Sequence, residues 1–372
     1  MKERINSLDT LKGLAILFVV YIHSKPFFSS QPFAESLNFI LANSSRFAVP
    51  AFFLTSGILL STKISEDGGL SFVKRQMEKI GTYYIFASAI YILPIVGILY
   101  ANQFLQLDII SNWLGLNLVS LQGLFNFLYI GKAIAPFLWF FTALFYSIAT
   151  VYFFSKRYDI KYLVLLSGVF HVVAILSNIY QVFYGLPVPM EDAVFFGLFF
   201  TSTGFWIGKD KIQEVWSGKA FLKLTGVFFL LHLVERGLIS STVPSLNKYF
   251  WDSFYWGPYS FFTAPMAIFF FLYILNRPDW GKNSRINLYG KYTLTGYIIH
   301  PMVIGLLLGL SIGLSTLTGL PVRGTVLWDL VLFPLAALIT METAVKYQSS
   351  LNSLIERVKD SLEGLRRKYT GF

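Results

Sequence analysis

Residues 8–23 read LDTLKGLAILFVVYIH, an apolar run with Asp9 and Lys12 at its mouth and a histidine, His23, deep inside it. An ionisable side chain inside a bilayer is costly and marks a functional site by default. The spacing of the two basic groups adds to this. Lys12 and His23 are 11 residues apart. That is about three helical turns, which puts the two within about 20° of one face and about 16 Å apart along the axis. One face of one helix then presents a cation at one edge of the membrane and an imidazole further in. Such a face suits a long ligand with an anionic head at one end and a reactive group at the other.

The rest of the chain supports the membrane reading. Of 372 residues, 55% are hydrophobic, 18% aromatic and only 13% charged, whereas a soluble domain carries about 25% charge. Backbone in a bilayer must satisfy itself through helices or a closed barrel. The apolar runs here are helix-length and do not alternate, so helices are expected. Ten spans can be read, at approximately 9–28, 37–60, 80–100, 136–154, 161–178, 191–208, 220–240, 256–276, 292–314 and 325–346. The first lacks a small-x-small cleavage site and reads as a retained span rather than a signal peptide. The fold class expected is therefore all-α, a polytopic membrane domain over 1–346, followed by a basic tail over 347–372.

The net charge of +10 tracks loop parity. All Lys and Arg except Lys25, Arg46, Lys132, Arg236, Lys248 and Arg323 fall on alternate connections or at the tail. The positive-inside rule then places both termini in the cytoplasm. The charge forms no patch, which argues against a nucleic-acid partner. The stretch Ile109–Ile130 is apolar and reads as a re-entrant or interfacial helix, or as an eleventh span, although an eleventh span would put the basic loops outside. In the tail, Leu351, Leu354, Ile355, Val358, Leu362 and Leu365 recur at helical spacing among basic residues, as in an amphipathic helix lying on the inner leaflet. Gly305, Gly309 and Gly313, four apart in the ninth span, read as a ridge for close helix packing, with a narrow ligand channel as the alternative.

The absence of cysteine excludes disulfides, Cys-ligated metals and a thiol nucleophile. No nucleophile elbow, Walker loop, Rossmann fingerprint or zincin motif is present, and no metal site is expected. Among the four histidines, His171 has no polar companion in its span and reads as structural. His232 lies three residues before Glu235 on one helix face, so the two can meet, as a proton-handling pair or as a mutually satisfied one. His300 precedes Pro301 and reads as a ligand-binding residue or as a hydrogen-bonded histidine at a kink. Arg46 lies about nine residues inside the second span and needs a partner or an aqueous cavity there. A cluster of His23, Arg46, Asn43, Ser44 and Glu235 is allowed by depth alone.

These motifs together resemble the acyltransferase 3 family of integral-membrane acyltransferases. RINSLDTLKGLAILFVVYIH is similar to that family's first span, with Arg4, Leu8, Asp9, Leu11, Gly13 and His23 matching and Lys12 in place of the usual arginine. SRFAVPAFFLTSG (Ser45–Gly57), FLWFFTAL (Phe137–Leu144), FFTSTGFWIG and GKYTLTGYIIHP (Gly290–Pro301) resemble its later spans in family order, the first of these most like the surface-polysaccharide O-acetyltransferase branch. One departure is KRQMEKIG, where Gln76 and Lys79 stand in place of the family's frequent Arg-x-x-Arg pair. Lys12 keeps the charge of arginine but loses the fork that suits phosphate.

The resemblance implies transfer of an acyl group, most often acetyl from cytoplasmic acetyl-CoA, to a hydroxyl of a glycan, glycolipid or related acceptor at the cell membrane. His23 and Arg46, in the matching first and second spans, and Glu235, from the depth-based cluster, are the catalytic candidates. Lys12, Asp9, Arg75, Lys79 and His300 are the donor-side candidates. A neutral imidazole can take the acceptor's proton or carry the acyl group itself, and Arg46 can stabilise a developing oxyanion. A secondary transporter using the same charges and a non-catalytic membrane sensor are the competing readings. The lipid bilayer is the expected surrounding, and self-association into a homo-oligomer stays open.

Overall fold

The computed structural model describes residues 5–24, 32–67, 69–101, 120–180, 189–242, 259–323 and 325–370. Every regular element among them is helical. Among the described residues, six segments are long and apolar enough to cross a bilayer: Asn6–Ser24, Ser36–Ser65, Pro136–Ser155, Ile160–Asn178, Thr293–Thr318 and Val326–Arg357. The chain is a multi-pass membrane protein. Each stretch read as a span has a helix at its place, but two of these helices, Leu198–Asp210 and Thr263–Leu275, have only 13 residues. The chain divides into two compact units, Met1–Ser45 with Asp279–Phe372, and Arg46–Pro278.

The first unit holds α1 (Asn6–Ser24), α2 (Pro32–Ser44), and the helices Arg285–Gly290, Thr293–Thr318 and Val326–Thr370. A core of Val20, Ile304, Leu307, Leu332, Ala336 and Ala337 joins α1 to the last two of these. Small residues decide how closely helices approach in a membrane, because lipid offers no hydrophobic contrast. At Gly13 a Cβ would fall 1.9 Å from the Ile286 carbonyl oxygen, and at Gly290 one would fall 1.7 Å from that of Asp9. Backbone therefore lies directly on backbone between α1 and the short helix Arg285–Gly290. Asn287 locks the contact, its amide donating to the Asn6 carbonyl at 2.7 Å and to Thr10 Oγ1 at 3.0 Å.

Three expectations change in this unit. Helix α1 is described over Asn6–Ser24, and the end expected at 28 lies outside the described residues. His23 sits in the last described turn and is exposed, rather than deep inside a span. The glycine ridge is unpacked: a Cβ at Gly305, Gly309 or Gly313 meets nothing within 4 Å, and Leu306, Leu310 and Leu314 beside it are exposed. The buried face of that helix is instead Tyr297, His300, Ile304, Leu307 and Ser311, whose spacing of three and four marks one side. Finally, the tail is no separate element, since the last helix runs unbroken for 45 residues from Val326 to Thr370.

The second unit contains α3 (Ala48–Asp67), α4 (Leu70–Ala101), α5 (Leu121–Ile130), α6 (Trp139–Ser155), α7 (Ile160–Asn178), α8 (Leu198–Asp210), α9 (Gly218–Thr242) and α10 (Thr263–Leu275). In the first unit the remaining helices become α11 (Arg285–Gly290), α12 (Thr293–Thr318) and α13 (Val326–Thr370). Helices α3 and α8 touch through a glycine pair: a Cβ on Gly57 would lie 2.1 Å from the Thr201 carbonyl oxygen and one on Gly204 2.1 Å from that of Leu54. Around them Phe53, Trp139, Phe140 and Phe196 pack edge to face, and Phe200 lies tilted against Phe196. Of the apolar stretch 109–130, residues 109–119 lie outside the described residues. Its described end is α5, a 10-residue helix, too short to cross a bilayer. It stops at Gly131, whose φ of 76° is left-handed and whose missing Cβ leaves room for Thr142 Oγ1.

Helix α9 is arranged inside out. His232, Glu235, Arg236 and Ile239 are buried, while Val227, Leu230, Val234 and Leu238 are exposed. Polar residues facing the bundle and apolar ones facing outward are what a bilayer environment selects.

Candidate active site

In the first unit the continuous α1 holds Lys12 and His23 toward its opposite ends. Their same-face geometry stands, with about 16 Å of helical rise between them. Lys12 is tied to its own helix: Nζ lies 2.9 Å from Asp9 Oδ1, with the Asp9 side chain only 6% exposed and Lys12 23%. Asp9 thus fixes where the cation points and offsets its charge. A carboxylate in the first turn also suits the positive end of the helix dipole.

At the other end His23 meets His300. The ring centroids are 4.9 Å apart and the planes tilt by 47°. His300 is fully buried, and its Nδ1–H donates to the Tyr297 carbonyl at 2.7 Å. His300, read from the sequence as a donor-side residue, therefore stands beside the candidate base and not beside Lys12. Arg285, another basic group at this unit's α11, spends its fork on Glu342 of α13, with Tyr289 OH donating to the same carboxylate.

Arg46 and Glu235 belong to the second unit, so the depth-based cluster with His23, Asn43 and Ser44 is divided between the two units. Arg46 lies in a tight turn, Ser45–Phe47, just before α3. It is buried, and its charge acts on His232 and on Arg236. The expected contact between His232 and Glu235 does not form. Their side chains share a face of α9 but diverge to different partners around the start of α10. His232 Nδ1 meets Ser260 Oγ at 2.9 Å, and Ser260 is held by Thr263, whose Oγ1 accepts from the Ser260 amide at 3.0 Å. Glu235 accepts from the Phe261 amide at 2.8 Å, the Phe262 amide at 3.0 Å and the Tyr180 hydroxyl. Its oxygens are engaged in holding backbone, a positioning task rather than that of a mobile base.

Arg75 and Lys79 both lie on the first turns of α4 and are exposed. Lys79 Nζ stands 6.0 Å from the Tyr83 ring centroid. His171 is structural as expected: buried, its Nδ1–H donating to the Phe195 carbonyl at 2.9 Å, its ring stacked on Phe199 at 5.1 Å. No three His, Asp or Glu among the described residues converge to hold a metal.

Sequence reading missed Tyr180, Ser260 and Thr263, which come from three different segments and carry no motif. Arg236 left a signal: it is one of six basic residues off the loop parity, one residue after Glu235.

The family model described as an acyltransferase domain matches residues 5–343. Two curated relatives, both named amino-acid racemase and both from Enterococcus faecalis, are 24% identical to this chain. One match covers 82% of this chain and 42% of the relative, the other 55% and 28%. The chain therefore spans less than half the length of the curated relatives it matches. No solved structure matches it.

Proposed function

The chain belongs to the membrane acyltransferase family that this domain defines, and from that premise we propose that it moves an acetyl group from acetyl-CoA to a hydroxyl of a cell-surface glycan or related acceptor. The observation that carries the reading is α1 itself. A buried-carboxylate-tethered cation stands toward one end and a histidine, backed by a second histidine, at the other. A thioester on a long anionic carrier has the matching shape.

In this reading His23 takes the acceptor's hydroxyl proton as that oxygen attacks the thioester carbonyl. The carbon–sulfur bond then breaks and the departing thiolate takes the proton from His23. Exposure of His23 suits a group that must reach two substrates. Lys12, set by Asp9, would face the donor's phosphates. Within the second unit, Glu235 would keep the α9–α10 junction in place.

Membranes bearing the protein should transfer label from acetyl-CoA to a glycoconjugate. In correctly folded His23→Ala protein that transfer should fall by about 10²–10⁴-fold, the usual weight of a general base; full activity would sink the role of His23. The name of the relatives favours a second reading of the acceptor, an amino acid. Labelled amino acids offered as acceptors, or followed for uptake into vesicles, separate that reading and a transport role from glycan acylation.

A further inference from the structure

The His300–Pro301 pair has a physical logic that begins in the backbone. In an α-helix the N–H of residue 301 would bond the carbonyl of residue 297. Proline has no N–H, so a proline inside a helix strips one carbonyl of its partner. Pro301 lies inside α12, and the carbonyl it strips is that of Tyr297. That is the carbonyl to which His300 Nδ1 donates at 2.7 Å. A carbonyl can only accept, so Nδ1 must carry the proton and Nε2 must present a lone pair. His300 is fully buried on the face of α12 that packs toward α1, with its ring centroid 4.9 Å from that of His23.

We infer that His300 is a positioning residue for His23: Pro301 fixes its tautomer so that Nε2 accepts from the His23 ring N–H opposite the nitrogen that acts as base. Ring centroids 4.9 Å apart leave room for a nitrogen of one imidazole to come within hydrogen-bonding distance of a nitrogen of the other. Neutral His23 already carries the one N–H this bond needs, and the bond strengthens as the ring becomes an imidazolium. An interaction that strengthens as charge develops raises kcat with little change in ground-state binding. This inference rests on the proposed role of His23 as base.

The test uses full-length protein in nanodiscs, acetyl-CoA as donor and membranes from the source cells as acceptor. His300→Leu should lower kcat about tenfold to a hundredfold at unchanged KM for acetyl-CoA. His300→Gln, whose amide oxygen can accept where Nε2 does, should recover most of the loss. ¹⁵N spectra of histidine-labelled parent protein, assigned by the signal missing in His300→Gln, should show His300 protonated at Nδ1. Pro301→Ala, which returns an N–H to the Tyr297 carbonyl, should convert that signal to a mixture of tautomers. A parent His300 protonated at Nε2, a Gln variant no better than Leu, or a loss confined to KM would each overturn the inference. The two readings fail separately: full activity in His23→Ala removes the proposed function, whereas loss in His23→Ala with parental activity in His300→Leu removes only this inference.

Discussion

Two buried imidazoles of this protein, His300 in the first unit and His232 in the second, are held in similar ways with different results. Each has Nδ1 within hydrogen-bonding distance of an oxygen, at 2.7 Å and 2.9 Å. For His300 the oxygen is a carbonyl, which admits one tautomer. For His232 it is the Ser260 hydroxyl, which donates or accepts, and which lies 3.3 Å from a second hydroxyl, Thr263 Oγ1. The proton on that ring can sit on either nitrogen as the hydroxyls rotate. The acceptor type, not the burial, decides whether a histidine is fixed or adjustable. His232 also keeps a buried Nε2 that has no hydrogen-bond partner among the described residues, beside the charges of Arg46 and Arg236.

The second unit is therefore where charge is costly, and the largest effect is expected there. Glu235 is the carboxylate acting on buried Arg236, and it also holds two amides and a hydroxyl. Removing one partner from a buried charged group costs about 3–5 kcal/mol, because the other is left uncompensated. Glu235→Ala should lower stability by that order in detergent-based thermal unfolding. A melting point near the parent's would show that Glu235 does not balance the cluster, and that the contrast between the two units is one of geometry alone.

The next effect belongs to the first unit. Gly13→Ala would drive a methyl onto the Ile286 carbonyl, 1.9 Å from its ideal position. Overpacking of this kind costs about 1–3 kcal/mol and more when backbone must move. Because Gly13 sits one residue after Lys12, the shift should raise KM for the donor as well. Parental stability with parental KM would mean that α1 and α11 separate without consequence.

These residues also mark what the sequence could and could not say. The all-helical, membrane-spanning class, the Lys12–His23 face and the buried place of His171 were legible because helical period converts spacing into direction. The acyltransferase resemblance was legible in the same motifs. The pairing of His23 with His300 was not, since nothing in spacing reports which helices are neighbours. For the same reason His232 and Glu235, three apart on one face, were read as partners. A shared face brings two side chains near each other, but the α9–α10 junction offered each a better bond.

A smaller effect would sharpen the imidazole comparison directly. Ser260→Ala removes the nearer partner of His232 Nδ1 and leaves Thr263 Oγ1 at 3.4 Å as the remaining one, a loss of up to about 1–3 kcal/mol for a poorly satisfied buried polar atom. Ser260→Cys, a weak donor of similar shape, should lose less. Equal losses in thermal unfolding would show that the hydroxyl contributes shape and not a bond.

The smallest effect is expected where the sequence signal was most regular. The Gly305–Gly309–Gly313 ridge advertises close approach, yet a Cβ at Gly309 meets nothing within 4 Å. Gly13 and Gly290 stand in no such repeat and make the tightest backbone contacts in the first unit. A repeat of small residues states that a helix can be approached; it does not state that something approaches it within the same chain. Contact decides the cost of adding a methyl, so Gly309→Ala should stay within about 0.5 kcal/mol of the parent, as surface substitutions do, while Gly13→Ala does not. Measured side by side in detergent, a large loss at Gly309 would mean that its face is covered in the folded protein, and would return the ridge to the packing role its spacing first suggested.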